Sequence, residues 1–198
     1  MIAFIQLGFR HIVNPGALDH ILFLLALAAI YRGRDWRDSL WVISAFTIGH
    51  SITLALAATG TVSIPSRLTE FLIPLTIVAT GIQNLLVRSR IGASLPGRYR
   101  PVFAGVFGLV HGAGFADYLQ RLFTGSIVVP LFGFNLGIEL GQLVVLAAVG
   151  GALAALDRLI AAARVSGGTS SPYRFRVVTV SLVVVAAAAE MAAARVPW

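Results

Sequence analysis

The chain has four histidines, His11, His20, His50 and His111, and all lie in or beside strongly apolar stretches. Five of its eight acidic residues, Asp19, Glu70, Asp117, Glu139 and Glu190, do the same. An ionisable side chain inside a lipid-spanning helix costs roughly 3 kcal/mol unless it finds a partner, so such residues point to a site. Imidazole nitrogens and carboxylate oxygens, in a chain with no cysteine, make a borderline donor set. It suits Ni(II), Co(II) or Zn(II), and also Mn(II) or Fe(II). Sulfur is limited to two methionines, so a Cu(I) path is not expected.

Two chemistries use such a set. A permease binds the ion weakly enough to release it, with protonation of His or Glu as the coupling device. An intramembrane hydrolase holds a zinc ion through His and Asp and activates water, with Glu139 as general base. No HExxH spacing occurs, so the protease version lacks its strongest signal. A structural or chaperoning membrane subunit is a third class. Thr47, His50 and Ser51 share one helical face, with Ser44 one turn away, and Asn135, Glu139 and Gln142 share another. These polar neighbours would either support the metal ligands or hydrogen-bond between helices.

The elements that must carry these residues are membrane spans. Of 198 residues, 58% are apolar and 12% charged, and mean hydropathy is +0.88; a soluble domain carries roughly 25% charge. The net charge of +7 comes from fifteen arginines and no lysine. Most sit in short links between apolar runs, which is an orientation signal and excludes a nucleic-acid surface. A span needs about 20 apolar residues. Six stretches qualify: 16–31, 39–58, 68–87, 101–119, 127–156 and 175–194. The sequence therefore predicts an all-α bundle of six spanning helices in one integral membrane domain. Residues 2–13 form a further half-helix, set off by Asn14-Pro15-Gly16. The fifth stretch exceeds the bilayer and should tilt, kink near Pro130 or begin outside. No cleavable signal is expected at the N-terminus.

Eleven of the fifteen arginines follow helices one, three and five, against four on the other side. Those loops, including the linker 165–173, are expected to be cytoplasmic and both termini non-cytoplasmic. Asp19 and His20 then fall near the outer surface, and His50, His111 and Glu139 near the midplane. This puts the site in the outer half of the bundle. Glu70, Asp117 and Glu190 are read as solvated helix ends, and Arg10 as a headgroup contact. Gly133, Gly137 and Gly141 repeat every four residues, and Gly108 and Gly112 form another such pair. They let backbones approach, within the chain or between copies of a homo-oligomer.

Four stretches carry a family resemblance: Asp19-His20 with the apolar run after it, Ala45-Phe-Thr-Ile-Gly-His50-Ser, Phe107-Gly-Leu-Val-His111-Gly-Ala-Gly and Phe134-Asn-Leu-Gly-Ile-Glu139-Leu-Gly-Gln. In this order they resemble the HupE/UreJ family of bacterial membrane proteins, in particular its second subgroup. The resemblance implies an inner-membrane protein of six or seven helices associated with nickel or cobalt uptake. It also implies that His11, Asp19, His20, His50, His111 and Glu139 handle the metal. In the family pattern five residues separate the first His from Asp-His; here seven do, with Pro15 and Gly16 among them. The reading of the whole sequence is uptake of a divalent transition metal (Ni, Co or Zn), its partners being the ion and the bilayer.

The arginine distribution has a direct test. With no native cysteine, single cysteines can be placed in the loops around Arg34, Arg98 and Arg164. They should react with a membrane-impermeant maleimide only after the cells are opened; labelling of the Arg98 loop in intact cells would reverse the orientation.

Overall fold

The computed structural model describes residues 1–31, 35–89, 99–122, 127–163 and 172–197. Among them are seven α-helices and no strand: α1 Ile2–Val13, α2 Leu18–Ile30, α3 Trp36–Ala58, α4 Ser66–Ser89, α5 Tyr99–Leu122, α6 Val128–Ala163 and α7 Pro172–Ala194. Arg32, Arg34, Arg90, Arg98, Arg164 and the linker residues 165–171 lie outside the described residues, as do the side chains of Arg88, Asp117 and Arg121. The surface is apolar. Trp41, Ile48, Val102, Phe132, Leu159 and Val183 are all exposed, the inverse of a water-soluble bundle and what a helical membrane protein presents to lipid.

By length and composition α3, α4, α6 and α7 can each cross a bilayer, and α1 with α2 makes a fifth crossing if that bent pair is one span. The expected six spans are thus met in part. The expected half-helix is α1, and its bend to α2 is 70°. Its cause is local. Proline has no N–H and drives the residue before it out of the helical region; Asn14 has φ −63°, ψ 122°. The Asn14 side chain accepts the Gly16 N–H at 2.9 Å, and the Ala17 N–H reaches the Asn14 carbonyl at 2.9 Å. The turn is closed by its own hydrogen bonds. Pro130, by contrast, falls in the first turn of α6, where a missing N–H is harmless. That 36-residue helix, roughly 54 Å long, begins there without the expected kink.

Two helix pairs are joined backbone to backbone. In the α3–α5 pair a Cβ on Gly49 would strike the Gly105 carbonyl, one on Gly108 the Phe46 carbonyl, and one on Gly112 the His50 carbonyl. In the α1–α6 pair a Cβ on Gly8 would strike the Phe134 carbonyl and one on Gly137 the Ile5 carbonyl, while at Gly141 it would lie 3.2 Å from the Phe9 carbonyl. The glycine faces expected to serve packing are therefore filled inside the chain.

The ends of α2, α4 and α6 and the starts of α5 and α7 meet at one end of the bundle. There Asn84 donates to the Ala26 carbonyl at 2.7 Å and accepts from Arg100 at 3.2 Å. The Tyr173 hydroxyl donates to the Ile30 carbonyl at 2.9 Å, and Arg176 pairs with Asp157 at 2.7 Å while reaching the Ala29 carbonyl at 3.3 Å. The Tyr173 and Arg176 bonds satisfy carbonyls that the C-terminus of α2 leaves without helical partners, whereas the Ala26 carbonyl lies one turn further in. Arg100, Arg158, Arg174 and Arg176 all belong to this end.

The close approach predicts opposite outcomes for two alanine substitutions. Gly108→Ala should lower thermal stability by about 1–3 kcal/mol, because backbone must move to admit the methyl group. Gly150→Ala on α6, where an added Cβ meets nothing within 4 Å, should be neutral or stabilising by up to about 1 kcal/mol. Thermal melts in detergent decide; equal effects would contradict the packing described.

Candidate metal centre

The four histidines come from four helices, His11 on α1, His20 on α2, His50 on α3 and His111 on α5. In one straight helix His11 and His20 would be about 13.5 Å apart along the axis and on opposite faces, since nine residues turn through two and a half turns. The break at Asn14–Ala17 folds them together, with ring centroids 4.6 Å apart. The glycine-mediated contact of α3 and α5 carries in His50 and His111. His20 and His111 lie 5.5 Å apart, and His11 and His50 6.4 Å.

Three of the rings offer nitrogens that all lie within 4.8 Å of one another, those of His11, His20 and His50. Ligands of a tetrahedral ion lie about 3.4 Å apart at a metal–nitrogen bond of about 2.1 Å, so holding one ion would draw the set in by up to about 1.4 Å. His50 is 0% exposed and His111 2%. The Phe46 and Phe134 rings flank His50 in nearly parallel planes, at 25° and 27°. Phe46 also meets the edge of His111 at 5.0 Å, and Phe115 lies 4.3 Å from His11. In this apolar box His11 Nε2, His20 Nε2, both nitrogens of His50 and His111 Nδ1 are buried with no hydrogen-bond partner. Each such atom costs about 1–3 kcal/mol. A metal ion satisfies several at once.

Two side chains set which nitrogen is free. Asp19 Oδ1 accepts from His20 Nδ1 at 3.0 Å and from the His20 backbone N–H at 2.9 Å. That leaves the Nε2 lone pair facing the cluster, an arrangement common for metal-bound histidine. Asp19 thus stands behind His20, with its side chain 21% exposed. On α4 the Thr76 hydroxyl donates to the Ile73 carbonyl at 2.7 Å and lies 3.1 Å from His111 Nε2. A hydroxyl has one proton. Having given it to Ile73, Thr76 accepts from His111, whose Nε2 must carry the hydrogen and whose Nδ1 lone pair is free. His111 lies outside the group of three nitrogens within 4.8 Å, with its ring 5.5 Å from that of His20.

The remaining expected residues lie elsewhere. Glu139 Oε1 accepts from Ser44 at 2.7 Å, and Thr47 donates to Gln142 at 3.0 Å; both bonds join α3 to α6. Ser44 precedes His50 by six residues, about 9 Å along the axis, so Glu139 stands apart from the imidazoles. Ser51 bonds back to the Thr47 carbonyl at 2.6 Å, and Asn135 Oδ1 is buried without a partner. Glu70 and Glu190 are exposed, as is Arg10. Counted from the arginine-rich ends of α2, α3 and α5 at 1.5 Å per residue, His20, His50 and His111 are about 15, 21 and 18 Å in. His20 thus lies within about 6 Å of the level of the other two. The helix it sits on begins inside the bundle, at the break. Thr76 has no sequence signal, because a threonine on an apolar helix is ordinary until its partner is known.

A family model described as HupE / UreJ protein matches residues 1–195. No curated protein and no solved structure matches.

Thr76 gives this geometry a test. Thr76→Val removes the acceptor that holds His111 and should weaken Co(II) binding about 10–100-fold, the usual effect of losing such a support. Thr76→Ser should restore it. The visible Co(II) spectrum should report a changed coordination in the valine variant alone; an unchanged spectrum and affinity would remove His111 from the centre.

Proposed function

This chain belongs to the HupE/UreJ family, and on that premise we propose that it binds Ni(II) or Co(II) at the imidazole cluster and passes the ion across the inner membrane. The single observation carrying this reading is the set of imidazole nitrogens buried in an apolar box without partners. A set so costly to bury is accounted for by an ion that binds there. His11 Nε2, His20 Nε2, one nitrogen of His50 and His111 Nδ1 are the ligands, with Asp19 and Thr76 orienting two of them.

In this reading the α1–α2 pair and α5 each cross once, giving six crossings, and the arginine-rich end faces the cytoplasm. The ion enters beside the break, where Asp19 is partly open and its carboxylate attracts a cation. All-imidazole coordination by neutral ligands leaves the ion its full charge, which favours release over permanent retention. Beyond the cluster, toward the arginine-rich end of α3, come the Thr47–Gln142 bond and then the Ser44–Glu139 bond. Glu139 is proposed as the next oxygen donor on the way in. That role suits its offset from the imidazoles better than general-base chemistry on a metal-bound water, which requires contact with that water.

The test is paired binding and flux. Protein in liposomes should take up Ni(II) or Co(II) in preference to Mg(II). His50→Ala should abolish both binding and flux, whereas Glu139→Gln should keep binding within a few-fold and slow flux at least tenfold. Zinc retained against chelators with no flux of any ion would replace the permease with the intramembrane hydrolase.

A further inference from the structure

At the arginine-rich end, α2, α3, α6 and α7 leave between them a cavity of about 660 Å³. It is separate from the imidazole cluster. Leu40 and Leu146 line its apolar wall together with Gly150 and Gly151, and Asp157, Arg158 and Arg176 line its polar end.

The two glycines are unlike the others of the bundle. Gly8, Gly49, Gly108, Gly112 and Gly137 each face a neighbouring backbone, which explains the missing side chain. A Cβ on Gly150 or Gly151 would meet nothing within 4 Å. Consecutive glycines weaken a helix interior, and no close contact within the chain calls for these two. Their effect is to deepen the cavity. The polar end is also unbalanced. Arg176, 4% exposed, is neutralised by Asp157 at 2.7 Å and also donates to the Ala29 and Tyr31 carbonyls. Arg158, the next residue after Asp157, is exposed and makes no hydrogen bond or ion pair among the described residues. The result is an apolar slot whose described lining carries two cations, Arg158 and Arg176, against the one carboxylate of Asp157, whose Oδ1 is buried without a hydrogen-bond partner among the described residues.

We propose that this cavity holds an acyl chain of an anionic phospholipid, whose phosphate is held by Arg158. The volume falls within the range of small amphiphile sites, about 300–1,000 Å³. It is too small for a partner helix: a helix about 10 Å wide would fill it over a length of only about 8 Å. A second copy of the chain would also bring its own unpaired Arg158 to the same mouth, like charge against like. A phosphate complements that charge, and basic pockets between helices at a membrane face are where anionic headgroups bind.

The experiment uses the full chain, purified and stripped of lipid in detergent. Phosphatidylglycerol and phosphatidylcholine with identical acyl chains are added, and the melting temperature is followed. The wild type should be stabilised by several degrees more by the anionic lipid. Arg158→Gln should erase the difference between the two lipids. Gly150→Leu, whose side chain enters open space, should fold, melt no lower than the wild type and lose the lipid response. Cobalt binding by both variants should be unchanged, which keeps this outcome distinct from that of the metal site. Equal stabilisation by both lipids, or a lipid response retained in Gly150→Leu, would overturn the proposal. So would efficient disulfide linkage of two Gly150→Cys chains, which would show the groove covered by a second copy.

Discussion

Burying an imidazole among phenylalanines is unfavourable until both ring nitrogens are bonded, and the bundle buries His20, His50 and His111 and the Nε2 of His11. Every neighbouring feature answers to that constraint. Asp19 and Thr76 each take one ring hydrogen, and in doing so leave the opposite nitrogen bare and pointed inward. Phe46, Phe134 and Phe115 exclude the water that would otherwise serve the remaining nitrogens. The same dry surroundings strengthen any interaction of those nitrogens with a cation. What would be a defect in a structural core is a set of nitrogens that could hold a metal ion.

The glycines make this density attainable. Imidazoles on four helices converge only if the helix axes come closer than ordinary side chains permit, and lipid gives apolar helices no solvent-driven reason to associate. Glycine replaces that drive with backbone contact over large areas. Gly108 and Gly112 lie against the Phe46 and His50 carbonyls, the residues that build the box. Gly137 and Gly141 fix α1 along α6 and so place His11. Packing and site are therefore coupled through the same residues.

Much of this is legible in the sequence, and what is not fails for definable reasons. Composition fixes the solvent, and Asn14-Pro15-Gly16 marks the break. The histidines stand out because ionisable groups are rare in apolar runs. Seven residues between His11 and Asp19 suit the break: once the chain turns at Pro15, a pair that a straight helix would hold on opposite faces comes within 4.6 Å. The level of His20 is not legible, because a helix that starts at a break inside the bundle has the same sequence pattern as one that starts at its end. Residue type could not tell Asp19 as a ligand from Asp19 as a partner of His20, because a carboxylate does both. Nor could it separate Glu139 from the cluster, since the Ser44 hydrogen bond is a tertiary fact. Thr76 has no signature in a single sequence.

The division into glycine-joined pairs bears on movement. His50 and His111 belong to one such pair, α3–α5, while His11 belongs to the other, α1–α6, and His20 begins the half-helix hinged to it. Inside each pair the backbones touch, so neither can shear without lifting its carbonyls over the opposite chain. The seam between α3 and α6 is of another kind, held at Ser44–Glu139 and Thr47–Gln142 by side-chain hydrogen bonds. Bonds of this sort between membrane helices are worth only about 0.6 kcal/mol on average, and a cation at Glu139 would compete for the same oxygen. A displacement of one pair against the other would spread the imidazoles between two bodies and break the coordination without unpacking either. The seam held by side chains and the Glu139 carboxylate thus coincide, between the pair that carries His50 and the pair that carries His11.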